Sequence, residues 1–141
     1  MNLTVIGSKS FQALDGMAWS CTLYIDGKKA AYVIQEGNGG PAYFQWYDKT
    51  LEQQFEAYVK TLPLFEGVAQ DGEMVVGGLL DKLDSEKRIK RWCKTKTVVT
   101  FSDSKPGEVS TFNRPYSPEM KDLLQKNYGN KIVKIHNEDY L

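Results

Sequence analysis

Residues 18–35, Ala18-Trp-Ser-Cys-Thr-Leu-Tyr-Ile-Asp-Gly-Lys-Lys-Ala-Ala-Tyr-Val-Ile-Gln35, decide the fold class. Trp19, Cys21, Leu23 and Ile25 alternate with Ser20, Thr22 and Tyr24, the period-2 pattern of a half-buried strand. Asp26-Gly27 suits a two-residue turn with positive φ, and Lys29 to Gln35 returns with the β-formers Tyr32, Val33 and Ile34. The stretch therefore predicts an antiparallel hairpin, with an earlier strand around Leu3 to Ile6 and another over Ala42 to Tyr47. Gly37-Asn38-Gly39-Gly40-Pro41 between them reads as loop.

The period then changes. Over Asp48 to Leu62 the residues Leu51, Phe55, Tyr58, Val59 and Leu62 share one helical face, Thr50 with Gln53 offers a capping box, and Pro63 stops the helix. A second helix, from about Gly72 to Lys90, turns Met74, Val76, Leu79, Leu80 and Leu83 inward. Gly77-Gly78 weakens it by roughly 1 kcal/mol per glycine relative to alanine, which suggests a close approach by another backbone. Thr95 to Ser102 reads as strand, Lys105-Pro106-Gly107 as turn and Glu108 to Phe112 as the partner strand. Ser117-Pro118-Glu119 marks a helix start by cap, first-turn proline and dipole-facing carboxylate, with Leu123, Leu124 and Tyr128 inward and Gly129 as its end. Lys131 to Ile135 is a last strand before a polar tail. Strands and helices do not alternate regularly, so the expectation is α+β: a mainly antiparallel sheet with about three helices packed on it, in one domain over residues 1–141.

Composition bounds the function. The 141 residues match one domain of common size. Eighteen Lys and Arg balance eighteen Asp and Glu, which excludes a DNA mimic and a general polycation binding nucleic acid non-specifically. No apolar run reaches a membrane span and no leader pattern opens the chain, so a cytoplasmic location is expected. Two cysteines and one histidine form neither a disulfide framework nor a convincing zinc site, and no metal or cofactor is expected. The charge is uneven: residues 1–85 hold 6 basic and 11 acidic residues, and residues 86–141 hold 12 and 7. Such a division favours self-association, most plausibly as a dimer, or a basic pocket; internal pairing is the plain alternative.

Three segments carry candidate binding residues. Glu86 to Lys96 holds Lys87, Arg88, Lys90, Arg91, Lys94 and Lys96 around Ile89 and Trp92, an arrangement suited to a phosphate beside a stacked base. The plain reading is a solvated helix end whose cations complement the dipole. Lys94 and Lys96 are expected on one face of a strand. Tyr43, Phe44, Gln45, Trp46 and Tyr47 form an aromatic group with one face free as a platform, following a glycine loop that is either an anion nest or a simple connection. Arg114 in Asn113-Arg114-Pro115-Tyr116 precedes a capped helix where an anion is favoured, or lies in an exposed turn with Tyr116 packed on the helix. Catalysis finds no constellation: His136-Asn137-Glu138 lacks the cysteines of a zinc deaminase, and no nucleophile elbow or phosphate loop is present.

Trp92-Cys93-Lys94-Thr95-Lys96-Thr97, Lys105-Pro106-Gly107-Glu108, Arg114-Pro115-Tyr116-Ser117-Pro118-Glu119 and Asn127-Tyr128-Gly129, together with Asp26-Gly27-Lys28-Lys29 and Gly39-Gly40-Pro41, resemble phrases in small uncharacterised proteins encoded by bacteriophages. The resemblance implies a bacteriophage origin, and because small phage proteins of this size often act against host immunity, a counter-defence role in the host cell cytoplasm is the expectation. Under it the chain is a non-enzymatic sponge that sequesters a small phosphorylated signalling nucleotide, with Arg88, Arg91, Lys94, Lys96 and Arg114 on phosphates and Tyr43, Trp46 and Tyr116 stacking on bases. The alternatives are an inhibitor that binds a host immune protein such as a CRISPR effector, and a small enzyme.

Overall fold

β2 (Gly16–Ile25) pairs antiparallel with both β1 (Leu3–Ala13) and β3 (Lys28–Gln35), and β4 (Tyr43–Trp46) completes a four-stranded sheet of order β1-β2-β3-β4. The computed structural model describes residues 1–141. Asp26 and Gly27 take φ of 49° and 82°, the two positive values that a tight turn matching the twist of its strands requires. β1 runs well beyond Ile6 because its register shifts between Ile6 and Lys9, with Gly7 at φ 67°. That bulge breaks the apolar alternation and hides the second half of the strand from a pattern reading.

The inward face of this sheet, Cys21, Leu23, Ile25, Ala31 and Val33, is closed by two helices, α1 (Lys49–Lys60) and α2 (Gly72–Trp92). α1 contributes Leu51, Phe55 and Val59. Its cap is Asp48, whose carboxylate accepts from the Thr50 N–H at 2.8 Å, so the cap lies two residues before the Thr50 box read from the sequence. A carboxylate beside the helix start also suits the dipole better than a hydroxyl. On α2, Val76 and Leu80 are buried and Met74, Leu79 and Leu83 half-buried. Gly77 and Gly78 face open space; the close backbone approach expected there does not occur.

The chain divides into two compact units, Met1–Lys82 and Leu83–Leu141. In the second, the end of α2 leads through a turn to β5 (Thr97–Phe101), which lies between β6 (Ser110–Phe112) and β7 (Ile132–Ile135) in a separate antiparallel sheet. α3 (Pro118–Tyr128) packs on it. Ser117 caps α3 through the Met120 N–H at 3.1 Å and Gly129 ends it at φ 52°. Met120 and Leu124 join Val99 and Ile135 in this unit's core. Leu123 and Tyr128, both expected inward, are exposed; the buried residues of the helix are Met120 and Leu124, four residues apart. The Tyr128 ring reaches Phe101 at 4.8 Å between centroids. No helix is long and apolar enough to cross a membrane.

The expected polar tail contains the least expected core residue. His136–Tyr140 forms a 3-10 turn in which Asn137 is only 3% exposed. Its carboxamide accepts from the Val98 N–H at 2.8 Å and donates to the carbonyls of Lys96, at 2.7 Å, and Cys93, at 3.4 Å. Removing it leaves buried groups of β5 and the α2 end unpaired, each costing about 1–3 kcal/mol. Asn137→Ala should therefore lower unfolding free energy by roughly 2–4 kcal/mol in denaturant titration. Gly77→Ala and Gly78→Ala should act oppositely, each raising stability by about 0.5–1 kcal/mol, since the added methyl group meets nothing and the helix gains propensity.

Candidate functional site

The basic segment is built on the last turns of α2 and the turn that follows. Lys94 N–H bonds to the Arg91 carbonyl, and Thr95 and Lys96 N–H groups bond to that of Trp92, at 3.3, 3.1 and 2.8 Å. Lys94 and Lys96 therefore sit in a turn, where the sequence placed them at alternate positions of a strand; β5 begins only at Thr97. The turn folds Lys96 back over the helix end. Its ammonium and the Arg88 guanidinium each lie 5.9 Å from the centre of the Trp92 indole, a cation–π arrangement that spacing of four residues along a helix and its continuation produces.

Arg88 and Trp92 line a groove of about 370 Å³ with Ser85, Ile89, Ser104, Gly107, Glu108 and Ser110. An indole face, a guanidinium, three hydroxyls and a carboxylate meet in it. The protein's two ion pairs, Lys121–Glu138 and Lys134–Asp139, involve none of Lys87, Arg88, Lys90, Arg91, Lys94, Lys96 and Arg114. The cations of the segment are thus not neutralised by internal pairing, and Arg88 keeps its fork of donors for a ligand. The Glu108 carboxylate already accepts from the Lys105 N–H at 3.3 Å.

The other candidate residues are distributed differently. Arg91 and Lys94 are exposed beside the groove without lining it. The Arg114 carbonyl accepts from the Thr97 hydroxyl at 2.9 Å, which fixes the Arg114 backbone beside the residue following Lys96. Tyr116 packs on the Val99, Met120, Leu124 and Ile135 cluster, the packing alternative of the sequence reading. Burial and the Glu138 carboxylate push its phenol above the ordinary value. Tyr43 and Trp46 lie in the other unit on opposite faces of β4. Tyr43 is exposed and donates to Glu36 at 3.0 Å, while Trp46 turns inward, 5.6 Å from Phe44 and 5.5 Å from Phe55. An odd and an even position of one strand cannot flank the same base. The glycine loop is bonded to itself, Gly37 N–H to the Gln35 side chain and Gly40 N–H to that of Asn38, at 2.9 and 3.1 Å, so these two donors are not free for an anion.

No protein-family model, curated protein sequence or solved structure matches the chain. The geometry of the site carries the functional reading. The groove hydroxyls are the residues the sequence left without a role, because Ser104, Gly107 and Ser110 reach the helix end only through the β5–β6 connection. Trp92, an aromatic residue inside a cationic run, was the part of the groove legible in the sequence.

His136 lies in the same unit, its Nε2 at 2.7 Å from the Thr100 hydroxyl. Burial and the nearby Lys134 ammonium hold its pKa below the usual 6.5, against a smaller opposing pull from Asp139. The unfolded chain therefore takes up the proton first, and stability rises with pH across the interval between the folded and unfolded values. Melting temperature should be flat above pH 7 and fall as pH drops below 6.5, and His136→Gln should remove that slope while leaving the carboxylate transition at lower pH in place.

Proposed function

We propose that the chain is a non-catalytic binding protein that holds a small phosphorylated nucleotide in the groove of Arg88, Trp92 and Ser85. The observation that carries the reading is the joint lining of one groove by an indole and a guanidinium with no carboxylate partner. The base stacks on Trp92, Arg88 and Lys96 take phosphate oxygens, the serine hydroxyls accept or donate at the sugar and base edges, and the Glu108 carboxylate accepts there. Arg91, Lys94 and Arg114 add a cationic border that concentrates anions. The likeness to bacteriophage proteins supports a sponge that withholds an immune-signalling nucleotide in the host cytoplasm without cleaving it.

Self-association belongs to the same proposal. Residues 1–82 carry 6 basic and 10 acidic side chains, net −4, and residues 83–141 carry 12 and 8, net +4, so a second copy offers each unit an oppositely charged partner. A second reading, an inhibitor of a host immune protein, is favoured by the exposed Phe11, Leu14 and Met17 around the β1–β2 turn, apolar groups that a protein interface would cover.

Calorimetric titration against a panel of cyclic and linear nucleotides tests the first reading. One member should bind and raise the melting temperature. Arg88→Ala should weaken it by about tenfold to a hundredfold, the loss of a charge-assisted hydrogen bond worth roughly 1.5–3 kcal/mol, with little change in the unliganded melt. A panel in which no nucleotide shifts the melt, or equal binding by Arg88→Ala, would overturn the nucleotide reading and leave the inhibitor.

A further inference from the structure

Another groove, of about 460 Å³, lies in the N-terminal unit. Its wall is apolar: Phe44 and Trp46 from β4 stand nearly parallel, at 12°, against Phe55 and Val59 of α1. Gly72 allows this approach, since a Cβ there would stand 3.1 Å from the Phe55 ring and 3.2 Å from that of Phe44. The rim carries three carboxylates, Glu56, Asp71 and Glu73, against one ammonium, Lys60.

The carboxylates differ in what they already do. Glu73 accepts from the Ala42 N–H and, at 3.2 Å, from the Gln35 side chain. Asp71 uses one oxygen to cap α2 through the Met74 N–H at 2.8 Å, leaving the other toward solvent. Neither Glu56 nor Lys60 takes part in an ion pair. The groove is thus an aromatic slot bordered by unneutralised negative charge.

Beside the slot runs an open sheet edge. β4 is the last strand of its sheet, and the Tyr47 N–H donates inward to the Ala30 carbonyl at 2.8 Å. Residues of an antiparallel strand turn both backbone groups alternately toward one neighbour and the other. Tyr43, Gln45 and Tyr47 therefore pair with β3, while Phe44 and Trp46 present N–H and C=O groups to the open side. Ala42 shares that parity, and its outward N–H is the one Glu73 takes up.

We infer that this edge and slot bind an extended peptide in which an apolar or aromatic anchor is flanked, two residues away on each side, by Lys or Arg. The peptide adds to β4 as a fifth strand through Phe44 and Trp46. Its anchor lies on the face of the two rings and enters the slot. Positions two residues away share that face, which brings their cations to Glu56 and Asp71. Charge complementarity selects this occupant: an acidic peptide would meet a rim with a carboxylate excess of two, and an uncharged one would leave Glu56 unpartnered.

The test uses the full chain and acetylated, amidated nonapeptides with a Lys-Ser-X-Ser-Lys centre, X being Leu, Phe or Trp, read by calorimetry at low and high salt. At least one should bind. Peptides with Glu for Lys, with Ala at X or with N-methylated alternate amides should not. Glu56→Lys, an exposed change, should weaken the best peptide about tenfold or more, and Lys60→Glu should tighten it several-fold, both with unchanged melts. Absence of binding by every anchored cationic peptide, or equal binding by parent, Glu56→Lys and Lys60→Glu, would overturn the inference. The nucleotide titration reads a different groove, so either proposal can fail while the other stands.

Discussion

The geometry of the basic groove depends on one buried carboxamide. Asn137 ties the carbonyls at the end of α2 and in the turn after it to the first residues of β5. A helix end leaves its last carbonyls without partners, and a turn that buries them needs a donor from elsewhere in the chain. Asn137 supplies two N–H donors and accepts in return from Val98, so the turn keeps one conformation. Lys96 is thereby held over the Trp92 ring instead of swinging free in solvent, and a side chain 41 residues away in sequence sets the cationic border of the groove.

The second unit achieves this with a small core. Val98, Val99, Met120, Leu124 and Ile135 are its buried apolar residues, and the Phe101, Phe112 and Tyr128 rings close the side of the sheet. Tyr116, half-buried, packs against that cluster. In the first unit the burden falls differently. The inward face of β2 and β3 is apolar throughout and two helices cover it, so the aromatic residues of β4 lie at the margin of the core, half-buried, with their edges available to a slot.

The two grooves lie in units of opposite net charge because the chain's charges are divided along its length. The unit built from residues 83–141 carries the cationic excess, and the unit built from residues 1–82 the carboxylate excess. Field strength at each rim follows from how few of these groups are consumed internally: two ion pairs serve a chain of thirty-six charged residues.

Local chemistry alone determined the hairpin at Asp26-Gly27, the proline stop at Pro63, the Ser117 cap and the Gly129 end, because each rests on the conformational preference of one or two residues. The α+β class followed from the change of period between β3 and α1. Tertiary structure decided the rest. The bulge at Gly7 hid half of β1, and the turn at Lys94 to Lys96 follows from hydrogen bonds to α2 that no alternation reveals. The parity of β4 set Tyr43 and Trp46 on opposite faces, and Gly72 is required by two rings that the sequence does not place beside it. Asn137 is the clearest case. Its neighbours are polar and its period is uninformative, and the residues that bury it lie some forty positions upstream, so its role arises only when the chain returns on itself.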